Sequence, residues 1–200
     1  MDVQVLIPLK RLDDAKVRLI DTLTAGERRD LMLSMLRHVA VTALKAGVGP
    51  VALASSDPNA PRLARELGIG HVSDGGLPWN EGLTHALGEM EPAPETVLYL
   101  AADLPAVSPD EIRELVAAVP SHGIAIGRAY DGGTNALVVR PARALIPSFG
   151  VPRSSQAHTD LAAAAGLDAR IVDLPGVAAD VDTPADAARP QAREGVTSRT

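Results

Sequence analysis

Three acidic residues and one basic run carry the chemical potential of this sequence. Asp103 follows the apolar run "VLYLAA" and precedes Leu104-Pro105, so a carboxylate stands where a strand gives way to a turn. Such an oxygen suits a hard divalent cation, Mg²⁺ above all, which takes carboxylate ligands and keeps several waters. Taken alone, Asp103 is more simply a turn or capping aspartate, a common use of that residue. Asp180 and Asp182 lie two apart in "ADVDTP". In extended backbone such a pair shares a face, roughly 6 to 7 Å apart, and two like charges that close need a cation, a basic neighbour or open water. A solvated acidic turn before the next helix is the alternative. Together with Asp103, the pair could flank one Mg²⁺. The basic counterpart is "IPLKRLDDAKVRL", which places Lys10, Arg11, Lys16 and Arg18 directly after the first apolar run. Lysine neutralises phosphate as a point charge and arginine grips it bidentately. Asp13 and Asp14 would make the same run a charge-balanced loop.

Further segments offer neutral donors. In "SDGGLPWNEGL", Gly75 and Gly76 could bring backbone amides close to a base or ribose, or could form a plain turn. "DGGTNALVVR" sets Thr134 and Asn135 at the mouth of a strand, with Gly132 and Gly133 also readable as a hairpin turn. "FGVPRSSQAH" brings amides and hydroxyls to a helix start, a natural anion site, although Ser154 or Ser155 could equally be a simple N-cap. The five histidines are scattered, and His158, the one near a candidate site, reads as structural. There is no Gly-x-x-x-x-Gly-Lys-Ser/Thr loop, no Gly-x-Gly-x-x-Gly fingerprint and no Gly-x-Ser-x-Gly.

To position these residues the chain alternates short apolar runs with helical patterns. Strands are predicted at 3–9, 50–55, 71–73, 96–101, 123–127, 136–140 and 169–174. That order implies an α/β fold, a mostly parallel sheet flanked by helices. Thr24 with Glu27 three residues on has capping-box spacing and opens a helix that Gly47 ends. Ser108-Pro109-Asp110-Glu111 is a second such start, and Thr183-Pro184-Ala185-Asp186 repeats the device. Asp103 and the late aspartates therefore fall at strand-to-helix junctions, where open α/β sheets bind ligands.

The 200 residues carry a formal charge of −6 and fit one domain, expected over 1–189, with "PQAREGVTSRT" (190–200) as a disordered tail. Acidic balance and few aromatics argue against nucleic acid as a partner. The lack of a long apolar run or a leader argues against a membrane and for the cytoplasm. Without cysteine, any metal must use oxygen or imidazole ligands. Self-association into a homodimer is left open.

In order, "LIPLKRLDDAKVRL", "LTAGERRDLMLSMLRHV", "DGGLPWNEGL", "YLAADLPAVSPDEI", "DGGTNALVV", "FGVPRSSQAH" and "ADVDTPAD" resemble the CofC family of phospholactate guanylyltransferases, over roughly residues 3 to 187. The resemblance implies a three-layer, Rossmann-like sheet of the GT-A nucleotidyltransferase type. It also implies a reaction: GTP and Mg²⁺ guanylylate a phosphorylated three-carbon acid, 2-phospho-L-lactate or phosphoenolpyruvate, releasing pyrophosphate in coenzyme F-420 biosynthesis. Carried over by position, Asp103, Asp180 and Asp182 would hold the metal. Lys10 and Lys16 would meet the nucleotide phosphates, with Arg11, Gly75, Gly76 and Asn80 completing the nucleotide site. Thr134, Gly150 and Ser154 would hold the acid, and Lys10, Lys16 and Asp103 would carry catalysis. The segment "FGVPRSS" departs from the pattern Phe-Gly-Pro-Gly-Ser-Phe by an added residue and Arg153. Nucleotidyltransferases for pterins or sugars would instead show a Gly-x-Gly-Thr-Arg loop after the first strand, absent here, and a non-catalytic nucleotide-binding module would have no need of all three aspartates.

Overall fold

The computed structural model describes residues 2–14, 16–183 and 186. The segment 190–200 lies outside the described residues, as does most of the helix expected after Thr183. Seven strands form one sheet: β1 (Val3–Pro8), β2 (Val51–Ala54), β3 (Gly70–Val72), β4 (Thr96–Leu100), β5 (Gly123–Arg128), β6 (Thr134–Arg140) and β7 (Asp168–Val172). Their spatial order is β3-β2-β1-β4-β6-β5-β7. Only β6 runs antiparallel to its neighbours.

The five inner strands read as apolar runs because both faces are covered, whereas the edge strands β3 and β7 are largely exposed. Alternate side chains go to opposite sides: Val3, Val5 and Ile7 of β1, Leu98 and Leu100 of β4 and Val138 of β6 pack on one face. Leu6, Val97, Tyr99, Leu137 and Val139 pack on the other. The first face is covered by α1 (Ala25–Ala46), α2 (Ala60–Leu67) and α4 (Pro109–Ala118), the second by α3 (Trp79–Gly88) and α5 (Ser154–Ala164). This is the three-layer arrangement expected from the alternation of elements. The three predicted capping pairs form, Thr24 with Glu27, Ser108 with Glu111 and Thr183 with Asp186, and Gly47 ends α1 in the left-handed region. No helix among the described residues is long and apolar enough to cross a membrane.

Two details position the site. Strand β6 starts at Thr134, two residues before its predicted start, because the tight 129–133 hairpin lets Thr134 pair with Arg128 across an irregularity at Gly127. Since β6 is antiparallel, its first residues share the sheet edge where β1 and β4 end. The second detail is a short helix, α6 (Pro175–Ala178), which the sequence pattern did not predict. It presses against the capped start of α4, where the Gly176 amide donates to the Glu111 carboxylate at 2.6 Å. A Cβ at Gly176 would stand 2.4 Å from the Ala106 carbonyl oxygen and from the carboxylate. Gly176→Ala is therefore expected to cost about 1–3 kcal/mol by overpacking, read as a lowered urea midpoint, and to lower activity by displacing the segment after α6 that carries Asp180.

Candidate active site

The chain extends the sheet outward from β1 through β2 to β3, then returns to place β4 on the other side of β1. At this reversal the loops diverge and leave a crevice at the strands' carboxyl ends. An open cavity of about 480 Å³ lies there, a size suited to a small-molecule ligand.

On one wall, the basic loop after β1 is tied down by Asp57, a buried carboxylate that accepts from the Leu12 amide at 2.8 Å and from the Asn59 amide at 2.7 Å. Burial pushes Asp57 up, but these bonds outweigh it and hold the carboxyl below its ordinary range. The loop then turns through Lys16, whose φ of 52° lies in the left-handed region that side chains other than glycine's rarely adopt. This conformation, sparsely populated and characteristic of functional sites, drives the side chain inward until only 6% of it is exposed. There the ammonium pairs with Asp103 and with Asp182, the latter at 2.8 Å. Burial alone would pull Lys16 down, but Asp103 and then Asp182 override it and hold its pKa above the ordinary lysine value. At neutral pH Lys16 is a fixed cation and no base. Arg18 reaches the other oxygen of Asp182 at 3.1 Å.

Asp180 completes the acidic group. Asn135, buried at the start of β6, donates to it at 3.2 Å and to the Val177 carbonyl at 2.9 Å. Burial, then the charge of Asp103 and more weakly that of Asp182, push Asp180 up to about 6 against the Asn135 bond. Among the described residues no three carboxylate or imidazole groups stand close enough to cage a metal unaided. Lys16 is the cation between Asp103 and Asp182.

The raised Asp180 has a measurable consequence. Its native state keeps a proton that the unfolded chain has released between about pH 4 and pH 6, so ionising Asp180 lowers stability as pH rises through that window. Asp180→Asn removes the effect. Without added divalent ions, the variant is expected to be more stable than the parent above pH 6 by on the order of 1 kcal/mol, after allowance for partial solvent screening, and to lose that advantage below pH 4. Urea titrations at pH 4 and 7.5 measure it.

The opposite wall carries hydroxyls and aromatic rings. Thr134, Gly150 and Ser154 line the cavity together with Trp79, Tyr99 and Phe149. The chain's one tryptophan, its one phenylalanine and one of two tyrosines thus gather here. Tyr99 and Phe149 meet edge to face at 6.0 Å, and Lys10 lies 4.9 Å from the Trp79 ring centre. Gly150 has φ of 81°, which suits glycine. Neither Ser154 nor Ser155 caps α5: that place falls to Arg153, again left-handed, while Ser155 donates its hydroxyl to the Gly132 carbonyl at 2.7 Å.

The structure therefore brings Lys10, Lys16, Asp103, Thr134, Gly150, Ser154, Asp180 and Asp182 around one cavity. Arg11, Gly75, Gly76 and Asn80 are outside its lining. The Gly75 amide donates to Ser73, and that of Gly76 to Ser56 and Asp74. Asn80 clamps the backbone of Phe149, donating to its carbonyl at 3.1 Å and accepting from its amide at 2.8 Å, so it shapes the loop at Gly150. Asp57, Tyr99 and Phe149 were not among the candidate residues, and Arg18 and Asn135 were candidates only within the basic run and the strand mouth, without their bonds to Asp182 and Asp180. Their signal was weak because each acts through a partner distant in sequence.

A family model described as guanylyl transferase CofC like matches residues 3–189. The chain is 41% identical over 185 residues to a phosphoenolpyruvate guanylyltransferase of Sphaerobacter thermophilus, covering 90% of this chain and 88% of the relative. It is 36% identical over 206 residues to a protein of the same description from Rubrobacter xylanophilus, covering 100% and 98%. Among solved structures it superposes on a nucleotidyl transferase from Methanothermobacter thermautotroptrophicus with a TM-score of 0.66 at 14% identity, covering 96% of this chain and 97% of the other. The sheet and its helices thus have the nucleotidyltransferase fold.

Proposed function

We propose, from the premise that this chain belongs to the CofC-like guanylyltransferase family and is a nucleotidyltransferase, that it transfers GMP from GTP to phosphoenolpyruvate and releases pyrophosphate. 2-Phospho-L-lactate is the runner-up acceptor, and the product would feed coenzyme F-420 biosynthesis. The observation that carries the reading is the pairing of a three-aspartate, one-lysine wall with a wall of hydroxyls across one cavity. The first suits a metal-bound triphosphate and the second a small anion.

The acceptor's phosphate is already an anion at neutral pH, so no protein group need remove a proton. One of its oxygens attacks the α-phosphorus of GTP. The bond from that phosphorus to the oxygen bridging the β-phosphate breaks, and pyrophosphate leaves with the electron pair. The obstacle is bringing two anions together, which positioning and charge can overcome. Lys16, held charged, and Lys10 on Trp79 would neutralise phosphate oxygens of the nucleotide. Thr134, Ser154 and the Gly150 backbone would hold the acid in line with the α-phosphorus.

The aspartates also fit Mg²⁺: all donors are hard oxygens, and Asp180 is burdened by two neighbouring charges that a dication would offset. Held by Asp103, Asp180 and Asp182, the ion would supply Lewis-acid charge at the phosphates when bound. The test is the product. Mass spectrometry after incubation with GTP, Mg²⁺ and phosphoenolpyruvate should find guanosine joined through a diphosphate to enolpyruvate. Finding only GDP and phosphate would point to hydrolysis and sink the reading.

A further inference from the structure

His158 is fully buried, and the mechanism above leaves it unused. Both its ring nitrogens are nevertheless committed. The Ser148 amide donates to Nε2 at 2.9 Å. An amide hydrogen can be accepted only by an unprotonated nitrogen, so the neutral ring carries its proton on Nδ1. Nδ1 lies 3.0 Å from Oγ1 of Thr134, which must therefore accept this bond. The Ser154 hydroxyl donates to the same Oγ1 at 3.2 Å. A threonine hydroxyl has two lone pairs and one proton. With both lone pairs filled by protein donors, its remaining capacity is to donate, and Thr134 lines the cavity.

We infer that His158 is a positioning residue that fixes Thr134 as an obligate hydrogen-bond donor, so that this wall favours an accepting oxygen, an anionic one most strongly, and rejects a group that can only donate, such as an amide or ammonium N–H. The inference deepens the proposed function and rests on it for the identity of the acceptor. The ring is held in place as well as in tautomer. Phe149 packs edge to face on it at 5.0 Å, and Asn80 clamps the Phe149 backbone. Burial pushes His158 down to about 4, against a smaller upward pull from a backbone bond at Ser154, so the neutral ring persists through the physiological range. A charged ring would place a proton on Nε2, facing the Ser148 amide hydrogen. The device spans three separate segments, 134, 148 and 154–158, and its effect is to remove the ambiguity of a hydroxyl that could otherwise accept as readily as donate.

Three variants and one spectroscopic measurement test it. His158→Leu removes the Nδ1 donor, His158→Asn keeps a donor near that position, and Thr134→Val removes the hydroxyl. In pyrophosphate-release kinetics, His158→Leu should raise KM for phosphoenolpyruvate by about tenfold or more while KM for GTP stays within about threefold, since loss of a donor to a charged group is felt only by the ligand it faces. His158→Asn should recover most of that loss. In a Thr134→Val background, replacing His158 should change KM little further, because both act through one hydroxyl. Calorimetric titration of phosphoenolpyruvate reads the same ordering without turnover. Long-range ¹H–¹⁵N correlation spectra of the unmutated protein, with the His158 signal identified by its loss in His158→Asn, should show a neutral Nδ1–H ring from pH 5.5 to 8. An Nε2–H tautomer, equal losses for GTP and the acid, or additive effects of His158 and Thr134 would each overturn the inference. A protein that makes no guanylylated product yet shows the Nδ1–H ring and the predicted order of phosphoenolpyruvate affinities would overturn the proposed reaction and leave this inference standing.

Discussion

Lys16→Met is expected to lower kcat/KM by about a hundredfold or more and to cost about 1–3 kcal/mol of stability at pH 7.5. The side chain is almost wholly enclosed and stands between Asp103 and Asp182, while burial and then the neighbouring carboxylate charges already raise the pKa of Asp180. Removing the ammonium leaves these carboxylates facing one another with Arg18, on the exposed side of Asp182, as a remaining counter-charge. Breaking a buried pair from one side costs about 3–5 kcal/mol, and the smaller figure reflects the partial exposure of both aspartates. The sign with pH follows from linkage. A lysine whose pKa is raised on folding contributes fully below its unfolded value of 10.5 and loses the contribution only as pH climbs through the folded value. The deficit of the variant should therefore be level from pH 7 to 9. Millimolar Mg²⁺ should restore part of the stability and little of the activity, because a dication can replace the charge but not its position. Urea unfolding with and without Mg²⁺ measures the first, and steady-state kinetics the second. A variant with unaltered turnover would remove Lys16 from the catalytic account.

Asp103→Asn is expected to reduce product formation by about a thousandfold at saturating GTP and Mg²⁺. Asparagine preserves the shape but removes the charge that pairs with Lys16 and that ranks directly after burial in raising Asp180. Two readouts should consequently move in opposite senses. Activity collapses, while Asp180 titrates closer to its ordinary range of about 3.8 because one repelling neighbour is gone. Carbon-detected NMR of the aspartate side chains resolves the second. Loss of activity with Asp180 unmoved would mean that Asp103 acts apart from the acidic group; retained activity would sink its assignment as a metal-binding and catalytic residue.

Much of this arrangement was legible in the sequence because local rules and the fold agree. The seven strands fall within two residues of their predicted ends, the five inner ones because a strand buried on both faces has little choice of composition; β3 and β7 are exposed edge strands. Ser108-Pro109-Asp110-Glu111 declared its helix because a capping box is a local device. Asp103 was visible as a carboxylate at a strand end, yet its pairing with Lys16 was not, because 87 residues separate them. The same holds for Asp57 and Leu12, 45 apart, and for Asn80 and Phe149, 69 apart. The early start of β6 escaped notice because Gly132 and Gly133 look like the turn they are, and the register change at Gly127 is a property of the paired strands. His158 read as a structural histidine, and it is buried as such a residue would be. Its link to Thr134 depends on which ring nitrogen faces Ser148, which no spacing encodes.

The measurement that bears most directly on the account is Mg²⁺-dependent pyrophosphate release from GTP, with phosphoenolpyruvate, 2-phospho-L-lactate and 3-phosphoglycerate offered separately and ATP as the control nucleotide. The account predicts release with GTP and phosphoenolpyruvate, none without an acid, and markedly less with ATP. Silence with all three acids, or release that ignores whether an acid is present, would contradict it.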